Sequence, residues 1–246
     1  MAPVAAAVLP HPPLLVPELA GAAAPELAPL RAACHEALST VVAAADLAIL
    51  IGDGPVWAVP APSAPGSFRP YGAGVDVALP TLVDLDLPAL PPPAQLTDLP
   101  LSLAVAAHVL EDLDRPPARL FAATVPRSLG PLAAAAIGHL LATTTARFGL
   151  VVMADLSACR TERAPGAFHP DAADFDARVA DAFRTGTPQR LLALDPTQSA
   201  DLLVTGRAPL QVLAGAFDQT GSGVRGRVLY EGAPYGVGYL VALLTP

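Results

Sequence analysis

Short apolar runs of strand length alternate along this chain with longer segments of helical period. Residues 4–9 (VAAAVL) form the first run. Residues 25–44 follow with Pro25 near a helix start, Glu26 in the first turn, and leucines at 27, 30 and 38. Proline suits the first helical position, and the helix field favours an anion there. A second apolar run at 47–52 (LAILIG) completes a β–α–β spacing, which predicts parallel strands with a covering helix. Residues 100–113 return to helix and 119–126 to strand. An Ala-rich helix follows, and 148–157 (FGLVVMADLS) reads as a buried strand with Asp155 at its carboxyl end. Residues 170–183 predict an acidic amphipathic helix with Phe175, Val179 and Phe183 on one face. Asp195 and Pro196 suit the N-cap and first position of a short helix through Leu203. Another helix is expected over 208–217, and two strands close the chain around GAPYGVG. Residues 53–100 have turn residues throughout and no sustained period, so they predict a long irregular excursion.

No repeat or linker interrupts this alternation. It predicts an α/β fold, a single domain over 1–246 with a central mixed, largely parallel sheet flanked by helices. The charge balance narrows the partners: a net charge of −8 with 14 Lys+Arg leaves no cluster for a nucleic-acid groove. Two cysteines, Cys34 and Cys159, make no CxxC pair and suit a reduced cytoplasm. Residues 128–146 carry no formal charge. Their alanines, threonines, His139 and Pro131 predict a buried or half-buried helix rather than a membrane span. The N-terminus lacks the basic residues of a signal peptide. A cytoplasmic location, with neither nucleic acid nor membrane as partner, is therefore expected.

Chemistry is expected at the strand ends, where α/β folds meet their ligands. Pro10, Pro12 and Pro13 stiffen the chain around His11, directly after the first strand. Asp53, Asp155 and Glu231 also fall where loops leave strands. A histidine with carboxylates can hold a divalent ion; equally, Asp53 and Asp155 can serve as turn or cap residues and Glu231 as a solvated one. His35 and His108 sit inside helical patterns and His139 is expected to be buried and neutral. His169 precedes a helix, as a capping residue or an acid/base. Cys159 has no activating partner in sequence. Neither a GxGxxG turn after the first strand nor a Walker A loop is present.

Three stretches carry a family likeness. VLPHPPLLVPE at 8–18, VVMADLSACRTERAPGAFHPDAADFD at 151–176 and YEGAPYGVGYLVA at 230–242 resemble the class III extradiol dioxygenase catalytic-subunit (LigB-like) superfamily, which includes the Memo-like proteins. The likeness is greatest to its Ala-rich actinobacterial branch. Active members use a non-haem iron, held by two histidines and a glutamate, to cleave a catecholic ring, with a further histidine as acid/base. The resemblance implies His11 as first ligand and Glu231 as carboxylate ligand. At the second ligand position this chain reads ILIGDGP, with Gly52 and Asp53, so the implied metal set is His11, Asp53 and Glu231. Ala158 stands at the acid/base position, leaving His169 as the candidate catalytic histidine. Asp155, Ser157, Arg160 and Tyr235 are the expected pocket residues, with Tyr71 and Arg127 as further donors. The expected function is that of a ring-cleavage dioxygenase-like protein with an incomplete metal and acid/base site. Alternatives are a non-catalytic small-molecule-binding or scaffold domain, or a metal-dependent hydrolase. The expected cofactor is Fe(II), another divalent metal or none. The expected ligand is a small aromatic or organic acid, and the expected assembly a homodimer.

Overall fold

A computed structural model describes residues 2–87, 89–143, 146–218 and 223–246. In chain order the elements are β1 (Ala5–Leu9), α1 (Pro17–Ala20), α2 (Ala28–Ala44), β2 (Leu47–Gly54), β3 (Ala58–Pro60), β4 (Pro65–Ser67), β5 (Asp76–Ala78) and β6 (Ala94–Leu96). They continue as α3 (Leu101–Glu111), β7 (Leu120–Pro126), α4 (Pro131–Leu141), β8 (Phe148–Met153), α5 (Ala172–Arg184), α6 (Pro196–Asp201), α7 (Arg207–Ala216), β9 (Arg225–Gly232) and β10 (Tyr239–Thr245).

Eight strands form one mixed, mostly parallel sheet in the order β6-β3-β7-β2-β8-β1-β10-β9. β7, β2, β8 and β1 are mutually parallel neighbours, and β10 and β9 close one edge antiparallel. Strands covered on both faces need apolar residues at every position, which is why β1, β2, β7 and β8 read as continuous runs. Their alternating side chains feed two cores. Val8, Ile49, Ile51 and Val152 pack with Phe175, Phe183 and Phe217 from α5 and the end of α7. Ala7, Leu50 and Val151 pack with Leu30 and Leu38 of α2 and Leu103 of α3.

Several expectations hold at residue level. Phe175, Val179 and Phe183 are fully buried, and Asp195 Oδ1 accepts from Gln198 N–H at 2.8 Å as the α6 N-cap. Others need correction. The expected strand at 148–157 ends at Met153, because the chain then leaves the sheet to reach the turn before β10: Leu156 N–H donates to Gly238 O and Gly238 N–H to Ser157 O. The irregular 53–100 region contains β3 and β6, which extend the sheet, and the small β4–β5 ladder. His139 is half-exposed, with Nε2 3.3 Å from Asp218 Oδ2, rather than buried. The buried stripe of α4 runs through Ala134, Ile137 and Leu141 instead. Gly138 and Gly215 let α4 and α7 cross backbone to backbone, since a Cβ on either would collide with the other helix. No described helix is long and apolar enough to cross a membrane.

Candidate functional site

Parallel strands bring their carboxyl ends to one edge of the sheet, and a cleft of about 490 Å³ opens there. It is lined by His11, by Asp53 to Pro55 at the end of β2, by Pro100 to Ser102 at the start of α3, and by Pro126 to Ser128 at the end of β7.

His11 is mounted by its prolines. Residue 10 has no amide hydrogen, so β1 stops pairing through that position, and Pro12 holds His11 extended. The chain then enters a 3-10 turn at Pro13–Leu15, with Leu15 N–H donating to Pro12 O. The His11 amide donates to Asp155 Oδ1 at 2.8 Å, fixing the turn to the loop after β8. The side chain is 3 % exposed. Its Nε2 lies 3.1 Å from Asp53 Oδ1, 3.9 Å from Asp155 Oδ2 and 3.3 Å from Thr205 Oγ1. Arg127 closes the far side: its Nε and Nη2 each lie 2.8 Å from Asp53 Oδ2.

Burial disfavours charge on every member of this group, yet the mutual contacts decide the outcome. Desolvation pushes the His11 imidazolium down, but Asp155 and Asp53 outweigh it and its pKa is raised above 6.5. Desolvation pushes Asp53 up, but His11 and Arg127 hold it below 3.8. Asp155 has weaker compensation from His11, and burial leaves its pKa raised. The contacts thus favour the protonated form of His11 and the ionised form of Asp53, while burial favours the neutral form of Asp155. Such a pair can bind polar groups and hold or pass a proton at Nε2.

Sequence-predicted residues divide by location. His11, Asp53 and Asp155 converge, and Arg127 joins them. Ser157 and Arg160 belong to a second buried cluster: Ser157 N–H donates to Asp176 Oδ1 at 2.9 Å, and Arg160 Nη1 to Asp176 Oδ2 at 2.8 Å. Glu231 lies exposed on edge strand β9, paired with Arg184, and does not line the cleft. Tyr235 donates its hydroxyl to Glu26 Oε2 at 3.1 Å. His169 Nδ1 accepts from Asp171 N–H at 3.2 Å at the start of α5, a capping contact. Tyr71 is exposed in a turn outside the cleft lining. His35 lies on α2, and His108 packs edge-on against Phe68 with ring centres 6.1 Å apart. The Cys34 thiol is buried, and its pKa is pushed up to about 12 by desolvation.

Three contributors escape sequence reasoning. Thr205 reaches the site from the loop before α7, and Arg207 from the first position of that helix. Arg207 is buried, with Nη1 donating to Leu129 O at 2.8 Å and to Gln211 Oε1 at 2.7 Å, and Nη2 donating to Arg127 O. It thereby fixes the loop that carries Arg127. A cation in the first turn of a helix opposes the helix field, and that was its legible signal. Asp176 was likewise visible as an acid on the apolar face shared with Ala172, Val179 and Phe183.

The iron centre that the resemblance implies does not fit these side chains. Asp53 gives one oxygen to His11 and the other to Arg127, and Glu231 is held by Arg184. Among the described residues, no group of three His, Cys, Asp or Glu side chains is placed to hold a metal ion. Gly52, at the position of the implied second ligand, also has no room for a side chain. A Cβ there would approach Ser102 Cβ at 2.9 Å and Leu103 Cδ2 at 3.1 Å, because the start of α3 presses on β2. Ser102 Oγ completes the contact by donating to Asp53 O at 2.7 Å. Gly52→Ala is expected to destabilise by about 1–3 kcal/mol through overpacking, with partial relief from Ser102→Ala. Urea unfolding of the two single variants and the double variant checks this; strict additivity would contradict the contact.

The fold and site define an α/β domain with a cleft, of mixed apolar and charged lining, across the carboxyl ends of parallel strands. No family model matches the chain, and neither does any curated protein. Among solved structures it is similar to "uncharacterized protein JW3007 from Escherichia coli K12", with a TM-score of 0.63 and 15% sequence identity. That alignment covers 99% of this chain and 100% of the other. At this identity the likeness shows a shared fold.

Proposed function

We propose that this chain is a small-molecule-binding domain on an extradiol-dioxygenase-like scaffold, with conventional iron-dependent ring cleavage lost. The cleft volume falls within the range of small-molecule sites, about 300–1,000 Å³. The observation that carries the reading is the engagement of His11. Its Nε2 faces Asp53, whose carboxylate is itself clamped by Arg127. The glutamate that the resemblance assigns to iron is paired elsewhere, and alanine stands at the acid/base position. What remains is a preorganised charged pair under an open cleft, suited to orienting a polar ligand. A cytoplasmic setting suits two free, buried cysteines.

Anaerobic reconstitution with Fe(II), followed by metal quantification and oxygen uptake with a catechol panel, tests this. Iron well below one per chain and no oxygen uptake are expected, together with saturable catechol-induced shifts of cleft amide signals. One tightly held iron per chain with ring-opened product would overturn the proposal. Stoichiometric zinc or manganese with ester hydrolysis would replace it with a hydrolytic centre.

A further inference from the structure

A second groove, of about 380 Å³, lies at the β3 end of the sheet on the face that carries α4 and α7. It shares no lining residue with the cleft. Phe121 of β7 lines it and is buried. Trp57, in the turn before β3, donates its Nε1–H to Pro91 O at 3.2 Å, which ties the indole to the proline tract at 91–93. Leu85, Leu87 and Leu90 complete the apolar lining. They are brought there because Val83 N–H donates to Leu120 O at 2.8 Å, so the segment runs beside β7. These leucines and Trp57 are only half-buried against the core. An apolar surface with two aromatic rings therefore borders a space of small-molecule size.

The charge at this groove has one sign. Asp84 and Asp86 also line it, and both are exposed. Among the described residues, neither carboxylate has a hydrogen-bond or ion-pair partner. Residues 70–114 hold seven Asp and Glu and no Lys or Arg, so the chain around the groove brings no cation of its own. A neutral occupant would strip water from the two carboxylates with nothing in return, and an anion would be repelled. An ammonium group instead covers them with opposite charge. An indole face adds attraction for a cation within about 6 Å of the ring centre. The aromatic lining and the unpaired carboxylates are separate observations, and both fit the same occupant.

We propose that this groove binds a small organic cation, an amine or quaternary ammonium bearing an aromatic or alkyl group. The apolar part rests on Trp57, Phe121 and the leucines. The charge is met by the indole and by Asp84 and Asp86. This site stands apart from the cleft and holds whatever the cleft binds.

Trp57 is the only tryptophan in the chain, so its emission reports on the groove. Phenethylamine, 2-phenylethanol and phenylacetate share a shape and differ in charge at neutral pH. Each is titrated into the full chain, with Trp57 emission and backbone amide spectra as readouts. Phenethylamine should shift the emission and the Leu85 and Leu87 amides saturably. Its affinity should exceed that of the alcohol by about tenfold, from one cation–π contact and two exposed charge contacts. Phenylacetate should not saturate. D84N/D86N should weaken amine binding about fivefold or more, leave the alcohol unaffected, and melt at the wild-type temperature. The alcohol binding as tightly as the amine, undiminished amine affinity in D84N/D86N, or no response to the amine would each overturn the proposal. Amine shifts confined to Gly54, Arg127 and Ser128 would place the cation in the cleft and overturn it as well.

Discussion

Replacing Asp53 with alanine is expected to lower folding stability by about 3–5 kcal/mol near neutral pH, because removing one partner strands buried charge. His11 would keep the weaker Asp155 contact at 3.9 Å, and Arg127 would turn to solvent. The loss has a definite pH window. The folded pKa of His11 is raised, so its contribution is fully present below 6.5 and fades as pH rises through the folded value. Asp53 is lowered, so its contribution is present above 3.8 and fades as pH falls through the folded value. Asp155 is raised and acts in the sense of His11, reinforcing the decline on the alkaline side. The difference between wild type and Asp53→Ala should therefore be largest between these limits and shrink on both sides. Urea unfolding from pH 3 to pH 9 measures it; a difference flat across that range would contradict the charged pair.

Asp176→Ala is expected to cost about 3 kcal/mol, with consequences for the cleft. Burial pushes the Asp176 carboxyl up, against Ser157 N–H and Arg160, which pull it down. Arg160 is partly exposed and can turn to water, whereas the Ser157 amide is buried and would be left unmade. Gly238 presses directly on this carboxylate, leaving no room for a Cβ. Asp176 thereby ties α5 to the loop after β8 and to the turn before β10. That loop carries Asp155, which holds the His11 amide. Asp176→Asn keeps an acceptor for Ser157 and should cost about 1 kcal/mol. Calorimetry on both variants checks the ratio, and hydrogen exchange at the His11 amide checks the link. Equal losses from alanine and asparagine would contradict the assigned role of the Ser157 contact.

Much of this architecture was written in local pattern. The continuous apolar runs at 47–52 and 119–126 specify strands buried on both faces, and the Phe175–Val179–Phe183 stripe specifies how α5 lies. His11 was legible because three prolines around a strand end restrict the chain whatever the fold. Asp53 and Asp155 were legible as residues leaving parallel strands, since such strands bring their ends to one edge. The expected partnership of His11 with Glu231 depended on side-chain pairing that spacing does not encode. Glu231 lies within β9 rather than in a loop leaving it, and Arg184 of α5 sits beside it on the exposed edge. Thr205 and the contacts of Arg207 were illegible for the same reason: both meet segments far away in sequence, His11 and the Arg127 loop. His139 was misread because an Ala-rich helix leaves its buried stripe poorly marked.

Nitrogen-15 spectra of the His11 imidazole, followed against pH and then against equimolar zinc, test the charged pair most directly. The predicted result is a protonated ring persisting above pH 6.5, losing that elevation in Asp53→Asn, with zinc leaving both nitrogen signals in place. A neutral ring at that pH, or a zinc-shifted nitrogen at one metal per chain, would contradict it.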